Sequence, residues 1–364
     1  MTKKKILIAT GGTGGHIFPA YSLAKFFIKK DFKVELTTDK RGLTFLKQDD
    51  DLRLTKINTS PLIKKNVLKL LLSLFIIFFS VINSTIFLIF NRPSIIIGMG
   101  GYSSFPVCIA AFLLRIKFVI YENNLIIGKA NKFLLPFTKK VFVSYKELEG
   151  IPINYKKKIV EIGNIVREEI INSSEESKEI KSYDFMNILV LGGSQAAKIF
   201  AENLPIIFKN LQESKIPLKV FQQCQKNQTE RLKNFYFNAN MNCEIFNFTD
   251  DIINYYNKAN LVITRSGASV LGELINIKIP FISIPLPTSA DNHQFKNADF
   301  YAKKGYGYLL EEKDIKIKLY NLIASIFNDK SLTKNILSNQ RQYSDKNIFR
   351  NFNTHIENIL NEKN

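Results

Sequence analysis

A buried-strand pattern, a glycine-rich loop and a helical pattern follow one another twice in this chain, about half its length apart. The first set runs from Ile6-Leu7-Ile8-Ala9 through Gly11-Gly12-Thr13-Gly14-Gly15 into a helix expected over residues 17–30, with Pro19 in its first turn. The second runs from Ile188-Leu189-Val190-Leu191 through Gly192-Gly193-Ser194 into a helix that ends near Asn210. Short apolar runs at residues 34–37, 95–98, 118–121, 141–144 and 159–162 alternate with helical segments. So do runs at 218–221, 244–246, 261–264 and 281–285. Such alternation predicts parallel strands with helices on both faces. The expected class is therefore α/β, with two tandem Rossmann-like domains. The polar stretch at residues 172–183 lies near their junction, and the chain beyond Asp314 reads as helical. We expect domains at residues 1–163 and 164–345. A closing helix at 346–364 is expected to pack back on the first domain.

Glycine is scarce, with 17 in 364 residues, yet nine of them fall in three clusters: 11, 12, 14 and 15; 98, 100 and 101; 192 and 193. Glycine there allows positive φ and close backbone approach to a ligand. The 46% hydrophobic and 23% charged fractions exclude a disordered tail or a fibre. A net charge of +19 favours an anionic partner: nucleic acid, an acidic membrane surface or a phosphorylated substrate. Lysine is plentiful, but no nucleic-acid recognition motif is present. Three cysteines without ligand spacing fit a reducing compartment and exclude a disulfide framework. The apolar run at the N-terminus is too short for a signal peptide.

Residues 70–90 are 21 consecutive residues without a charge. They are long enough to span a bilayer, but Ser73, Ser80, Asn83, Ser84 and Thr85 interrupt them. Three readings remain open: a spanning helix, a core helix of the sheet, and an interfacial helix. In the last, Phe75 and Phe79 would enter the lipid and Lys64, Lys65 and Lys69 would meet anionic head groups.

The segment TGGTGGHIFP (residues 10–19) places free backbone N–H groups and a helix dipole at one anion site. It is neither G-x-G-x-x-G nor a P-loop, because the spacing differs and the lysine is missing. The helix dipole there disfavours a protonated imidazole at His16. A neutral His16 suits a general base for a hydroxyl, or it simply caps the turn. Gly98-Met99-Gly100-Gly101-Tyr102 either adds backbone donors at the same sheet edge or makes a tight turn. Tyr121-Glu122-Asn123-Asn124 suits sugar hydroxyls, or turn chemistry. Ser194 could cap its helix and hold phosphate. Arg167 is a cation near the junction or an ordinary surface charge. Glu273, after Thr264-Arg265-Ser266-Gly267-Ala268, could accept bonds from a ribose diol or lie on a helix surface. Residues 285–298 carry Asp291, Asn292, His293, Gln294 and Asn297, a set that suits a sugar or a solvated loop. Asp49-Asp50-Asp51 has D-x-D spacing but reads as a solvated turn.

Taken in order, TGGTGGHIFPA, GMGGYSS, YENN, GNIVRE, LGGSQAA, TRSGASVLGEL and DNHQFKNA resemble the peptidoglycan N-acetylglucosaminyltransferases that convert lipid I to lipid II. The resemblance implies a GT-B fold with an interdomain cleft. It also implies inverting transfer of N-acetylglucosamine from UDP-GlcNAc, a co-substrate, to the muramyl 4-hydroxyl of an undecaprenyl-diphosphate-linked acceptor. No tightly bound cofactor and no D-x-D metal are implied. The first domain would bind acceptor and membrane, and the second would bind UDP-sugar. The location implied is peripheral, on the cytoplasmic face of the inner membrane.

By the same resemblance, His16 deprotonates the acceptor. Thr13, Gly14, Gly15 and Asn124 lie near the transferred sugar, and Gly100, Gly101 and Tyr102 take the acceptor. Arg167 and Ser194 hold the donor diphosphate, and Thr249 and Ala268 contact the uracil side. Glu273 binds ribose, while His293, Gln294 and Asn297 address the sugar. Ala196, Ile165 and Thr249 depart from the residues usual in the family. Two alternatives stand beside this reading. One is a related transferase acting on another lipid such as diacylglycerol. The other is a basic membrane-surface or nucleic-acid-binding protein on a degenerate scaffold, which would show salt-sensitive binding and no sugar-nucleotide turnover.

Overall fold

The computed structural model describes residues 3–46, 51–61, 66–173, 185–193 and 198–362. Lys64, Lys65, Asp49, Asp50, Ser194, Ala196 and most of the 172–183 stretch lie outside them. The chain forms two compact units, Met1–Arg167 with Asp345–Asn364, and Glu168–Ser344.

The first unit contains β1 (Lys5–Ala9), α1 (Gly14–Lys29), β2 (Lys33–Thr38), α2 (Lys40–Leu43), β3 (Arg53–Lys56), α3 (Val67–Phe90), β4 (Ile95–Gly98), α4 (Ser104–Leu113), β5 (Phe118–Glu122), α5 (Lys129–Leu134), β6 (Val141–Val143) and β7 (Ile159–Glu161). Its sheet is parallel, in the order β3-β2-β1-β4-β5-β6-β7. Central strands are buried on both faces, which is why Ile6–Ala9 and Ile95–Ile97 are unbroken apolar runs.

The second unit contains α6 (Glu168–Ser173), β8 (Met186–Leu191), α7 (Lys198–Glu213), β9 (Leu218–Gln223), α8 (Thr229–Asn238), β10 (Asn242–Phe246), α9 (Ile252–Lys258), β11 (Leu261–Thr264), α10 (Ala268–Ile277), β12 (Phe281–Ser283), α11 (His293–Lys303), β13 (Tyr308–Leu309), α12 (Ile315–Asn328) and α13 (Lys330–Arg341). Its parallel sheet has the order β10-β9-β8-β11-β12-β13. The last helix, α14 (Ile348–Asn361), belongs to the first unit. There Phe352 packs 4.6 Å from Phe142, and Phe349 stacks on Phe26 at 5.2 Å. Lys117 Nζ caps α14 by donating to the carbonyls of Ile359 and Glu362.

Two expectations need correction. Strands β3 and β13 add to the strands that the apolar runs predict. Both are short edge strands with half-buried or exposed residues, so neither carries the apolar run that marks the centre of a sheet. Next, α1 begins at Gly14, so Pro19 lies inside it. Proline has no N–H to give the carbonyl four residues back. That carbonyl is Gly15 O, and Asn123 Nδ2 donates to it at 3.2 Å. The proline thus opens a contact between α1 and the end of β5.

For residues 70–90 the structure removes one of the three readings. These residues are not a core helix. In α3 the buried residues are Ser73, Ser80, Ser84 and Leu88, whereas Leu71, Phe75 and Phe78 are 57–61% exposed and Phe79 is 45% exposed. Helical periodicity gathers the serines on the face that meets the protein, and α3 packs on α4. Ser73 and Ser80 return their hydroxyls to the carbonyls of Lys69 and Ile76, so small polar side chains allow close packing. Lys69 stands exposed near the start of the helix. The helix is long and apolar enough to cross a membrane, with 22% of its most apolar stretch buried.

Candidate active site

In each sheet the strand order reverses direction between two central strands, β1 and β4 in the first and β8 and β11 in the second. Ligands of open α/β sheets bind in the crevice beyond the carboxyl ends of such strands. The glycine clusters stand at these ends.

In the first unit the loops after β1 and β4 touch. A β-carbon on Gly101 would lie 2.7 Å from Gly11 Cα, and one on Gly11 would lie 2.9 Å from Gly101 Cα. Gly101 also has φ of +76°. The backbone therefore requires glycine at 101 for two reasons. Gly101→Ala should destabilise the protein by more than the ~1–2 kcal/mol that positive φ alone costs an L residue. Gly193→Ala is the control, since Gly193 has φ of +77° and no atom of the described residues lies within 4 Å of its β-carbon position. Equal shifts of the two denaturation midpoints would remove the Gly11 contact from this account.

His16, half-buried in the first turn of α1, lies over this junction. A β-carbon on Gly100 would stand 3.2 Å from its Cε1 and 3.4 Å from Nδ1. Thr13 is the N-cap of α1, is exposed, and makes no side-chain bond to the helix. The helix thus presents its N-terminal N–H groups beside the imidazole, a ready anion site.

Residues from other strands fix these loops. Asp39, after β2, accepts from the N–H groups of Arg41 and Gly42 and from Ser103 Oγ at 3.0 Å. It also fills the space that a side chain at Gly12 would need. Burial opposes ionisation of Asp39, but the Gly42 N–H, Arg41 and Ser103 outweigh it and hold the carboxyl below its usual range. The Arg41 guanidinium pairs with Asp39 at 3.1 Å and lies 5.0 Å from the Tyr102 ring centre. Burial, with the Asp39 charge, raises the Tyr102 hydroxyl above its ordinary value, so Tyr102 remains a hydrogen-bond donor.

Glu122, at the end of β5, is buried and accepts from Asn124 N, Asn124 Nδ2, Gly128 N and Asn131 Nδ2. These bonds orient Asn124. Arg167 lies with its guanidinium 4.4 Å from the Phe18 ring centre, two residues beyond His16.

In the second unit, Gly192 N donates to Gln223 Oε1, which secures the loop after β8. The loop after β11 leads to Gly267, the N-cap of α10, and then to Ala268. Arg265 is 8% exposed and braces this edge: Nη1 donates to the carbonyls of Ile284 and Pro285, and Nη2 pairs with Glu312. Glu273 lies in the second turn of α10, 6% exposed, and accepts from Tyr256 Oη at 2.8 Å. Thr249 Oγ1 accepts from Asp251 N, which forms the turn into α9.

Asp291 and Asn292 both adopt left-handed conformations before α11. His293 Nδ1 bonds to Ala290 O, and Gln294 Oε1 accepts from Leu286 N. Asn297 is fully buried and donates to Ser266 O, so it ties α11 to the loop before α10. Among the described residues, no group of three or more His, Cys, Asp or Glu side chains is arranged to hold a metal ion.

Asp39, Arg41, Ser103 and Tyr256 had no assigned role in the sequence reading. Asp39 alone carried a signal, an N-cap aspartate directly after a strand. The others are recognised only from their partners.

Family models of the glycosyltransferase family 28 N-terminal domain and C-terminal domain match residues 6–143 and 187–354. The chain belongs to glycosyltransferase family 28. A Pelagibacter ubique relative named UDP-N-acetylglucosamine--N-acetylmuramyl-(pentapeptide) pyrophosphoryl-undecaprenol N-acetylglucosamine transferase is 38% identical, with 99% of each chain covered. A Rickettsia bellii relative of the same name is 36% identical over 93% of this chain and 96% of its own. Among solved structures, Acinetobacter baumannii MurG superposes with a TM-score of 0.76 at 25% identity, covering 98% of this chain and 99% of that one. A Rickettsia africae glycosyltransferase with 17% identity covers both chains fully at a TM-score of 0.66, which supports the fold. This family 28 chain is a hexosyltransferase with the GT-B architecture.

Proposed function

We propose that the protein transfers N-acetylglucosamine from UDP-GlcNAc to the muramyl 4-hydroxyl of undecaprenyl-diphosphate-linked muramyl-pentapeptide, forming lipid II. The observation that carries this reading is the 38% identity from end to end with a relative named for that reaction.

His16 takes the proton of the acceptor hydroxyl as its oxygen attacks the anomeric carbon of the donor. The bond from that carbon to the β-phosphate oxygen breaks, UDP leaves with the electron pair, and the configuration inverts. The N–H groups at the start of α1 and the nearby Thr13, Gly14, Gly15 and Asn124 support the reacting sugar. Gly100, Gly101 and Tyr102 take the acceptor. Arg167 and Ser194 take the donor diphosphate, where negative charge grows as UDP leaves. Thr249 and Ala268 serve the uracil side, Glu273 the ribose, and His293 and Gln294 the sugar. Asn297 acts through the Ser266 carbonyl to which it is bonded. The exposed apolar face of α3, Lys69 and the +19 charge support peripheral attachment to an anionic membrane. The acceptor lipid would place this at the cytoplasmic face of the inner membrane.

The test is incubation with labelled UDP-GlcNAc and either a lipid I analogue or diacylglycerol. Label should move to the lipid I analogue only. Folded, UDP-binding protein that labels diacylglycerol instead would replace this acceptor with the other.

A further inference from the structure

We propose that Tyr256 is a positioning residue for donor recognition: its hydroxyl holds the Glu273 carboxylate in the orientation that accepts hydrogen bonds from the ribose diol of a uridine nucleotide. The proposal rests on the reading of Glu273 as the ribose ligand.

Tyr256, on α9, is fully buried, and its Oη donates to Glu273 Oε2 at 2.8 Å. A polar group as buried as the Glu273 carboxyl needs hydrogen-bond partners. A bond from a phenol to a carboxylate is charge-assisted and directional. It fixes the plane of the carboxylate, and with it the direction in which Oε1 accepts. Two hydroxyls on adjacent ribose carbons demand such a fixed direction, because a rotated carboxylate meets only one of them well.

The helix that carries Tyr256 also begins at the segment assigned to the base. Thr249 Oγ1 accepts from Asp251 N at 3.0 Å, and Asp251 Oδ1 then caps α9 by accepting from Asn254 N at 3.2 Å. One short helix therefore links the uracil segment to the ribose carboxylate. It is fastened independently of Glu273: Tyr255 Oη donates to Glu244 Oε1 at 2.6 Å, and the Tyr255 ring stacks on Phe246 at 4.4 Å. Removing only the Tyr256 oxygen leaves its ring and these fastenings in place. The defect should then appear in ribose recognition and spare the phosphate and base contacts.

The experiment measures dissociation constants of UDP, 2′-deoxy-UDP and 3′-deoxy-UDP by titration calorimetry for the wild type, Tyr256→Phe and Glu273→Ala. The wild type should prefer UDP by about tenfold or more, the loss expected when a buried charged acceptor is left without its donor. In Tyr256→Phe the preference should shrink to about threefold or less, with binding of the deoxy nucleotides unchanged. Its donor KM should rise while kcat at saturating donor stays within about twofold.

A Tyr256→Phe protein that keeps the wild-type preference, or weakens all three ligands equally, overturns the proposal alone. A wild type with no preference, or Glu273→Ala with an unchanged one, overturns the ribose reading beneath it. If Tyr256→Phe does not fold, the substitution is made in a Glu273→Gln background, which carries no buried charge. There it should lower the remaining preference at least about twofold, and no change overturns the proposal.

Discussion

Replacing His16 with alanine is expected to lower kcat by about 10²–10⁴-fold, the range for loss of a general base. Donor KM should change little, because the role proposed for His16 is at the acceptor hydroxyl. The fold should survive, since His16 is half-buried in the first turn of α1 and alanine is a good helix former. The imidazole also rests against Gly100, so its removal leaves a small space there. Steady-state rates with UDP-GlcNAc and a lipid I analogue read the loss. The pH profile supplies the second readout: the acidic limb of kcat/KM given by an essential base should vanish in the variant. A variant within about threefold of the wild type would keep the reaction and end the role of His16 as base.

Converting Phe75 and Phe79 of α3 to aspartate is expected to release the protein from vesicles containing anionic phosphatidylglycerol. Full burial of a phenylalanine side chain is worth about 1.5–3 kcal/mol. The exposure of 60% and 45% leaves roughly half of that for a lipid surface to recover. The pair therefore contributes about 1.5–3 kcal/mol, or about 10- to 150-fold in affinity. Lys69→Glu should weaken binding less, by about the 1 kcal/mol typical of one basic residue near an acidic surface, and salt should erase that part first. Transfer to a water-soluble acceptor analogue should be unchanged in both variants. Vesicle co-sedimentation of the double aspartate variant at wild-type levels would show that α3 is not the attachment surface.

The family motifs reach the structure in unequal condition. Glu122 entered the sequence reading as one letter of YENN, yet its carboxylate collects four hydrogen bonds and orients Asn124. Asn297, expected to address the sugar, is wholly buried and donates to Ser266 O. Both differences have the same origin. Residue type and spacing identify which groups gather at a strand end, whereas burial and pairing decide which of them face a ligand.

The sequence by itself determined the two α/β halves, the glycine loops at the carboxyl ends of β1, β4 and β8, and the family. These are legible because parallel central strands must be apolar on both faces, and because a backbone that approaches an anion needs glycine locally. Only the tertiary structure decided the rest. It turned the long apolar helix outward, since helical geometry put Ser73, Ser80 and Ser84 on the packed face. It set Asn123 on the carbonyl left open by Pro19. It brought Asp39 to Ser103, 64 residues apart, and Tyr256 to Glu273, 17 apart. Hydrogen bonds between side chains on different elements depend on how the strands and helices are arranged in space, and no local pattern along the chain encodes that arrangement.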